Sequence, residues 1–354
     1  MIIDAHCHYT TEPAALHEFR NKQLAGLADA SRKPATTHLG ISDEVLIKSV
    51  APQLKLQAER GGTLTILSPR ASGMAHHVGT EEVGRQWATV SNDLIHRRCT
   101  LLPNNFAGVG QLPQVPGVSP KTCIAELERV VNGLGFVGIN LNPDPSGGYW
   151  TDPPLIDRYW YPVYEKLCEL DVPAMIHVSS CCNPNFHHTG AHYINADTTA
   201  FMQLIQGDLF EDFPTLKLVI PHGGGAVPYH WGRYRGLSLS IKKKDIDHLM
   251  QNVFFDTCVY HLPGIELLTK VVPIDNILFA SEMLGAVPGV DPENGHPFDD
   301  TKRYIDQVTG LSEESRRKIF AGNVRRVYPR LDRLLAKRDV RRTQGQAVDS
   351  GGPA

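Results

Sequence analysis

Eight short apolar runs, each followed by a helical or loop-helical stretch, leave this chain few folds to choose from. The runs fall at residues 2–4, 63–67, 106–112, 136–141, 172–178, 216–221, 253–258 and 277–280. Short apolar strands that alternate with helices predict a parallel sheet covered on its outer face. Eight of them within about 280 residues predict the α/β architecture of a (β/α)8 TIM barrel. A doubly wound open sheet is the structural alternative, but no Gly-x-Gly-x-x-Gly follows the first run. Helical signals fill the gaps. Residues 13–30 carry Leu16, Phe19, Leu24 and Leu27, and Ser42 is placed to cap a helix toward Arg60 that Pro52 breaks or kinks. Ser119-Pro120 reads as an N-cap with proline at the first helical position, ahead of the stripe Ile124, Leu127, Val130 and Leu134. Further helices are expected at 155–170, 198–209, 230–250 and 265–271. Residues 312–335 read as closing C-terminal helices, so the barrel unit is 1–335 and the polar segment 336–354 is expected to be a disordered tail.

Composition narrows the function classes. The chain has 354 residues, 42% apolar and 21% charged, with a formal net charge of -3. No basic excess points to nucleic acid, and no uninterrupted apolar stretch is long enough to span a bilayer. The first residues lack the charged and apolar regions of a secretory signal. Seven cysteines, an odd number without framework spacing, fit a reducing compartment, and a cytoplasmic location is expected. The adjacent Cys181 and Cys182 read as loop thiols.

In a barrel of this kind the chemistry collects where the strands end. The first strand ends in His6 and His8, two apart, so their side chains point to one side. Strand 2 runs into Ser68-Pro69-Arg70, strand 4 into Asn140-Leu141-Asn142-Pro143-Asp144, and strand 5 toward His177. Strand 6 ends in His222 followed by three glycines, strand 7 near Asp256, and strand 8 in Ser281-Glu282. The expected metal ligands are His6, His8, His177 and Glu282, a set that suits one zinc ion and leaves a site of about +1 formal charge. His222 lies outside that set and is the preferred catalytic acid/base, with a fifth metal ligand as its rival role. Its glycines let backbone or substrate approach closely. Asp256 is a second acid/base or supporting candidate. Arg70, Arg233 and Arg235 can clamp carboxylates bidentately, and Tyr193 and Asn142 lie on mouth loops where they can hydrogen-bond an acid group. His187-His188 and His192 read as solvated or supporting. His76-His77 read the same way, though close enough to Arg70 to touch a substrate.

His6-x-His8, His177, Pro221-His222-Gly223-Gly224-Gly225 and the late run Ile319-Phe320-Ala321-Gly322-Asn323-Val324-Arg325-Arg326 resemble the amidohydrolase-related metal barrels that include non-oxidative decarboxylases. A closer likeness is to the 4-oxalomesaconate hydratase family. It rests on Ser68-Pro69-Arg70-Ala71-Ser72, Asn140-Leu141-Asn142-Pro143-Asp144-Pro145, the run His222 to Arg233, the run Phe254 to His261, and Ser281-Glu282-Met283. The decarboxylases usually carry an aspartate where this chain has Glu282. The resemblance implies the same four ligands, a small-molecule tricarboxylic acid as substrate, and addition of water to give 4-carboxy-4-hydroxy-2-oxoadipate in the catabolism of lignin-derived aromatics. It also implies a homo-oligomer and a further acid from the segment after strand 1, where Asp43 and Glu44 are available. A metal-dependent decarboxylase and a lactone hydrolase on the same barrel are the alternative activities.

Overall fold

Each apolar run becomes a strand, and pairing them in chain order builds the barrel. The computed structural model describes residues 1–336, so the expected tail at 336–354 lies outside the described residues except for its first. The strands are β1 (Ile3–His8), β2 (Leu64–Ser68), β3 (Phe106–Gln111), β4 (Gly138–Leu141), β5 (Ala174–Ile176), β6 (Leu218–Ile220), β7 (Val253–Asp256) and β8 (Ile277–Leu278). They form one eight-stranded sheet in the order β1 to β8, every pair parallel. The amide of Ala5 donates to Phe279 O at 2.8 Å and that of Glu282 to His6 O at 2.9 Å, which carries the ring from the end of β8 back to β1.

The sheet's two faces sort cleanly by residue. Ile66 and Phe254 point into the barrel, whereas their neighbours Leu67 and Phe255 point outward into the layer under the helices. The lower interior is filled by Ile3, Ala5, Val109, Met175, Val219 and Leu278, and the C-terminal helices close it from below with Val324, Tyr328 and Leu331. This apolar plug makes the opposite end the sole place where polar side chains can gather inside the barrel.

One irregularity decides what gathers there. Ile3 and Ala5 face inward, so strict alternation would turn Cys7 inward and His6 and His8 outward. Between Asp4 and Cys7, however, β1 holds one residue more than β2 does between Thr65 and Leu67. This bulge reverses the phase. Cys7 joins the outer layer, and both histidines enter the mouth.

The helices that matter for the site are α1 (Ala14–Ala28), α2 (Glu81–Leu101), α3 (Tyr193–Gln206) and α4 (Trp231–Lys242). Ser42 does cap its helix, accepting from the Val45 amide at 3.3 Å, and the helix breaks at Val50, with Pro52 opening the next one. The longest helix, α2, lies in a stretch to which the sequence pattern assigned no element. Its apolar stripe Val83, Trp87, Val90 and Leu94 shares the inner face with buried Ser91, Asn92 and Arg98, which blurs the period.

Candidate active site

Three imidazoles meet at the mouth with their Nε2 atoms facing one another. His6 Nε2 lies 3.0 Å from His8 Nε2, which lies 3.2 Å from His177 Nε2. The other ring nitrogens are all engaged. His6 Nδ1 donates to Asp256 Oδ2, His8 Nδ1 to Ser68 Oγ and His177 Nδ1 to Val178 O, each at 2.7 Å. Val178 O can only accept, and the Ser68 hydroxyl is turned toward Pro69 O at 3.1 Å, so the ring protons sit on Nδ1. Three buried lone pairs therefore converge, an arrangement that repels itself unless a cation lies between them. Burial, reinforced by the neighbouring imidazoles, pushes His8 and His177 well below the ordinary histidine range, which keeps them neutral.

Glu282 supplies the fourth donor. Its Oε1 is 3.8 Å from His8 Nε2, and its Oε2 accepts from Tyr260 OH at 2.6 Å. Donor atoms of His6, His8, His177 and Glu282 all lie within 4.8 Å of one another. Three imidazole nitrogens and one carboxylate, all buried, with their outer atoms hydrogen-bonded, fit a divalent metal ion. The carboxylate is turned inward by a left-handed backbone, φ +51° at Glu282, a region costly for a side-chain-bearing residue.

His222 stands beside this set in the same left-handed region, φ +52°. Its Nδ1 donates to Asp197 Oδ2 at 2.9 Å, and its Nε2 has no hydrogen-bond partner and lies 3.9 Å from Glu282 Oε2. Burial favours neutral imidazole, but the charge and hydrogen bond of Asp197, with Glu282 and Asp256 nearby, outweigh it and hold His222 up at about 9. Burial likewise raises Asp197 to about 7, so the pair retains a proton at neutral pH, carried on the imidazole. The glycines after His222 make room for protein rather than for substrate. A Cβ on Gly225 would stand 2.5 Å from Ile194 O, and one on Gly224 would stand 2.4 Å from the Phe255 ring.

Above the donor set opens a cavity of about 780 Å³ whose wall includes His8, Glu282, Tyr193 and Arg70. Arg70 is exposed at the end of β2, its Nε donating to Ser72 Oγ at 2.9 Å. Tyr193 opens α3, stacks edge-on against His177 with ring centroids 5.1 Å apart, and its hydroxyl is 3.0 Å from His188 Nε2. His188 thus belongs to the cavity wall.

Other expected residues take different places. Asn142 is fully buried beneath the cavity, its Nδ2 bonded to His76 Nδ1 at 2.9 Å and Ser179 Oγ at 3.2 Å, so its amide is engaged in holding loops together and does not reach the cavity. Arg233 lies exposed on α4 and Arg235 is locked to Asp245 at 2.6 Å; neither is part of the cavity wall, because α4 runs away from the mouth over the outer layer. Asp43 pairs with Arg97 at 2.6 Å on the surface and Glu44 is exposed, so neither supplies the further acid. Asp256 orients His6 and also accepts from the Gly223 and Cys258 amides at 3.0 Å, a supporting part with no free lone pair aimed at the cavity. Cys181 and Cys182 are free thiols on a loop.

Three contributors went unread in the sequence: Asp197 behind His222, and Glu12 and Arg20 on the cavity wall. Glu12 is the acid that the segment after β1 does bring in, with its side chain 6% exposed. Burial raises it to about 7 against the pull of Arg70 and Arg98. Its signal was proximity to His8, four residues earlier in the chain; Asp197 carried none, since it sits mid-helix among polar neighbours.

An eightfold parallel barrel with three imidazoles and a carboxylate converging at its mouth defines a metal-site TIM barrel. More particularly, the chain belongs to the amidohydrolase family, whose model matches residues 3–330. It is 58% identical over 342 residues to 2-keto-4-carboxy-3-hexenedioate hydratase from Sphingobium sp. (strain NBRC 103272 / SYK-6), covering 96% of this chain and 99% of that relative. The crystal structure of 4-oxalomesaconate hydratase from Rhodopseudomonas palustris superposes with a TM-score of 0.90 at 58% identity, covering 96% of this chain and 99% of that one. Gamma-resorcylate decarboxylase from Polaromonas sp. (strain JS666 / ATCC BAA-500) is more distant, 26% identical over 302 residues, 78% of this chain and 86% of that relative. Among the described residues no helix is long and apolar enough to cross a membrane.

Proposed function

We propose that this chain is a hydro-lyase that adds water to the C=C bond of 4-oxalomesaconate, giving 4-carboxy-4-hydroxy-2-oxoadipate in aromatic catabolism. The observation that carries the reading is the 58% identity over 96% of the chain to a hydratase, with Glu282 placed inside the donor set at the end of β8. His6, His8, His177 and Glu282 would hold the metal, and we take it to be zinc, since imidazole-rich sets with one carboxylate suit that ion. When bound, it supplies Lewis-acid polarisation and stabilises negative charge that builds as water adds. Arg70 binds a substrate carboxylate, and the Tyr193 hydroxyl donates to another, positioned by His188. His222 holds a proton on Nε2, beside Glu282, and delivers it to the carbon that must be protonated, while the proton given up by the adding water recharges the imidazole through solvent. Asp197 fixes the ring and stabilises its charged form. Seven free thiols support a cytoplasmic setting. Exposed Tyr229, Leu239 and Ile241 on and beside α4 support a homo-oligomer, which sedimentation would measure.

The test is mass spectrometry of the product formed from 4-oxalomesaconate by zinc-loaded protein. A product one water heavier is expected. Loss of carbon dioxide would move the chain to the decarboxylases, and an unchanged substrate would reject this substrate. Replacing zinc by manganese, with metal content and rate both measured, decides the ion; a higher rate with manganese would overturn zinc.

A further inference from the structure

Arg20, on α1, is a buried cation without a counter-ion. Its residue is 8% exposed, yet it forms part of the cavity wall. Its contacts are neutral: Nη1 donates to Gln23 Oε1 and Nη2 to Met74 O, both long at 3.3 Å, and the guanidinium lies 4.9 Å from the Trp87 ring centroid. Among the described residues no carboxylate approaches within the 4.0 Å of an ion pair. Burial lowers it to about 10, with no neighbouring acid to oppose that. Burying an unpaired charge is costly, and a guanidinium that keeps its charge in such a place normally has an anion to meet.

Arg98 shows what a purely internal arginine looks like in this chain. It too is buried and lacks a carboxylate, but it is packed against the rings of Tyr9 at 3.7 Å and Phe106 at 5.2 Å and is no part of this cavity's wall. Arg20 differs because its open side is the cavity that also contains Arg70 and Glu282. Asn21 and Glu12 line the same cavity, and both can donate or accept hydrogen bonds.

We infer that Arg20 is a substrate-binding residue that receives the carboxylate lying farthest from the metal centre and selects tricarboxylates over dicarboxylates. This rests on the proposed reading for the identity of the substrate, but the recognition itself needs only an acid with a third carboxylate. Arg70 then serves the carboxylate near the donor set, and the two arginines measure the length of the ligand between them.

The experiment is titration calorimetry on zinc-loaded protein with tricarballylate and with methylsuccinate, which has a methyl where tricarballylate has one of its two carboxymethyl groups. For Arg20→Gln we expect tricarballylate to bind about 30-fold or more weaker, methylsuccinate to change less than about threefold, and Arg20→Lys to recover part of the loss. Zinc content and melting temperature should match the parent protein. Equal losses on both ligands, with a lowered melting temperature, would mean that Arg20 only braces α1 against the Met74 loop. Unchanged tricarballylate binding would also overturn the inference. If the product assay rejects hydration while Arg20→Gln still discriminates the two acids, the subsite stands and the substrate reading alone falls.

Discussion

The cavity has two unlike walls. One is made by strand ends, where His6, His8, His177 and Glu282 are held by residues that fix each outer atom. The other is made by the loop after β1 and by α1, where Glu12 and Arg20 have been taken out of water, Glu12 with only the imidazole of His17 at 3.6 Å and Arg20 with no carboxylate among the described residues. The first wall is satisfied internally and needs only an ion at its centre. The second leaves charge and protons available for whatever enters. A rigid wall suits bond-making, and an unsatisfied one suits recognition, since its partners arrive with the ligand.

That contrast can be broken experimentally. The largest effect is expected at the rigid wall: His177→Ala or Glu282→Ala should abolish stoichiometric metal and lower turnover by at least about 10³-fold, measured by metal analysis beside kinetics. Retention of full metal and rate would refute the donor set. His222→Ala should lower turnover by roughly 10² to 10⁴-fold while metal content stays at one per chain, because its Nε2 makes no hydrogen bond to the four donors and its ring is held by Asp197. Loss of metal in that variant would make it a fifth ligand instead. Asp256→Asn should weaken metal affinity about 10 to 100-fold by loosening His6, read by competition with a chelator.

The smallest effect on turnover is expected from Glu12→Gln, which sharpens the contrast through stability. Burial raises Glu12 from 4.5 to about 7, so between those values the folded chain holds a proton that the unfolded chain has released. Stability from this group is complete below the lower value and is lost as pH rises through the upper one. The loss is on the order of 1 to 3 kcal/mol. Asp4 and Asp197, raised to about 6 and about 7, act with the same sign in both proteins, so the difference between them isolates Glu12. Urea unfolding at about pH 5 and about pH 8 should show a shallower decline in Glu12→Gln; an identical decline would place Glu12 in water.

The two walls also differ in how far the sequence discloses them. Strands this short leave little freedom, so their last residues must stand at the mouth, and His177, His222 and Glu282 could be placed there from the apolar runs alone. The first strand does end in His6 and His8, as Ile3–His8, but the inward aim of both histidines depends on a bulge that no propensity marks. The α1 wall was opaque for a different reason. Arg20 stands in a helix of ordinary polar residues, and nothing in its neighbours tells a buried arginine from a solvated one. Asn142 shows the converse failure: a polar residue at a strand end whose amide is wholly taken up by His76 and Ser179. Position along a strand reports where a residue is, while burial on a helix depends on contacts from distant parts of the chain.

The apolar plug beneath the donor set has a kinetic consequence. Tyr328, Leu331 and Val324 fill the barrel floor against Phe254 and Met175, so no passage runs along its axis. Whatever reaches the imidazoles must depart through the opening it entered by. Accumulating product therefore queues in the doorway of the next substrate, and it should act as a competitive inhibitor whose grip sets the pace of the cycle at high conversion.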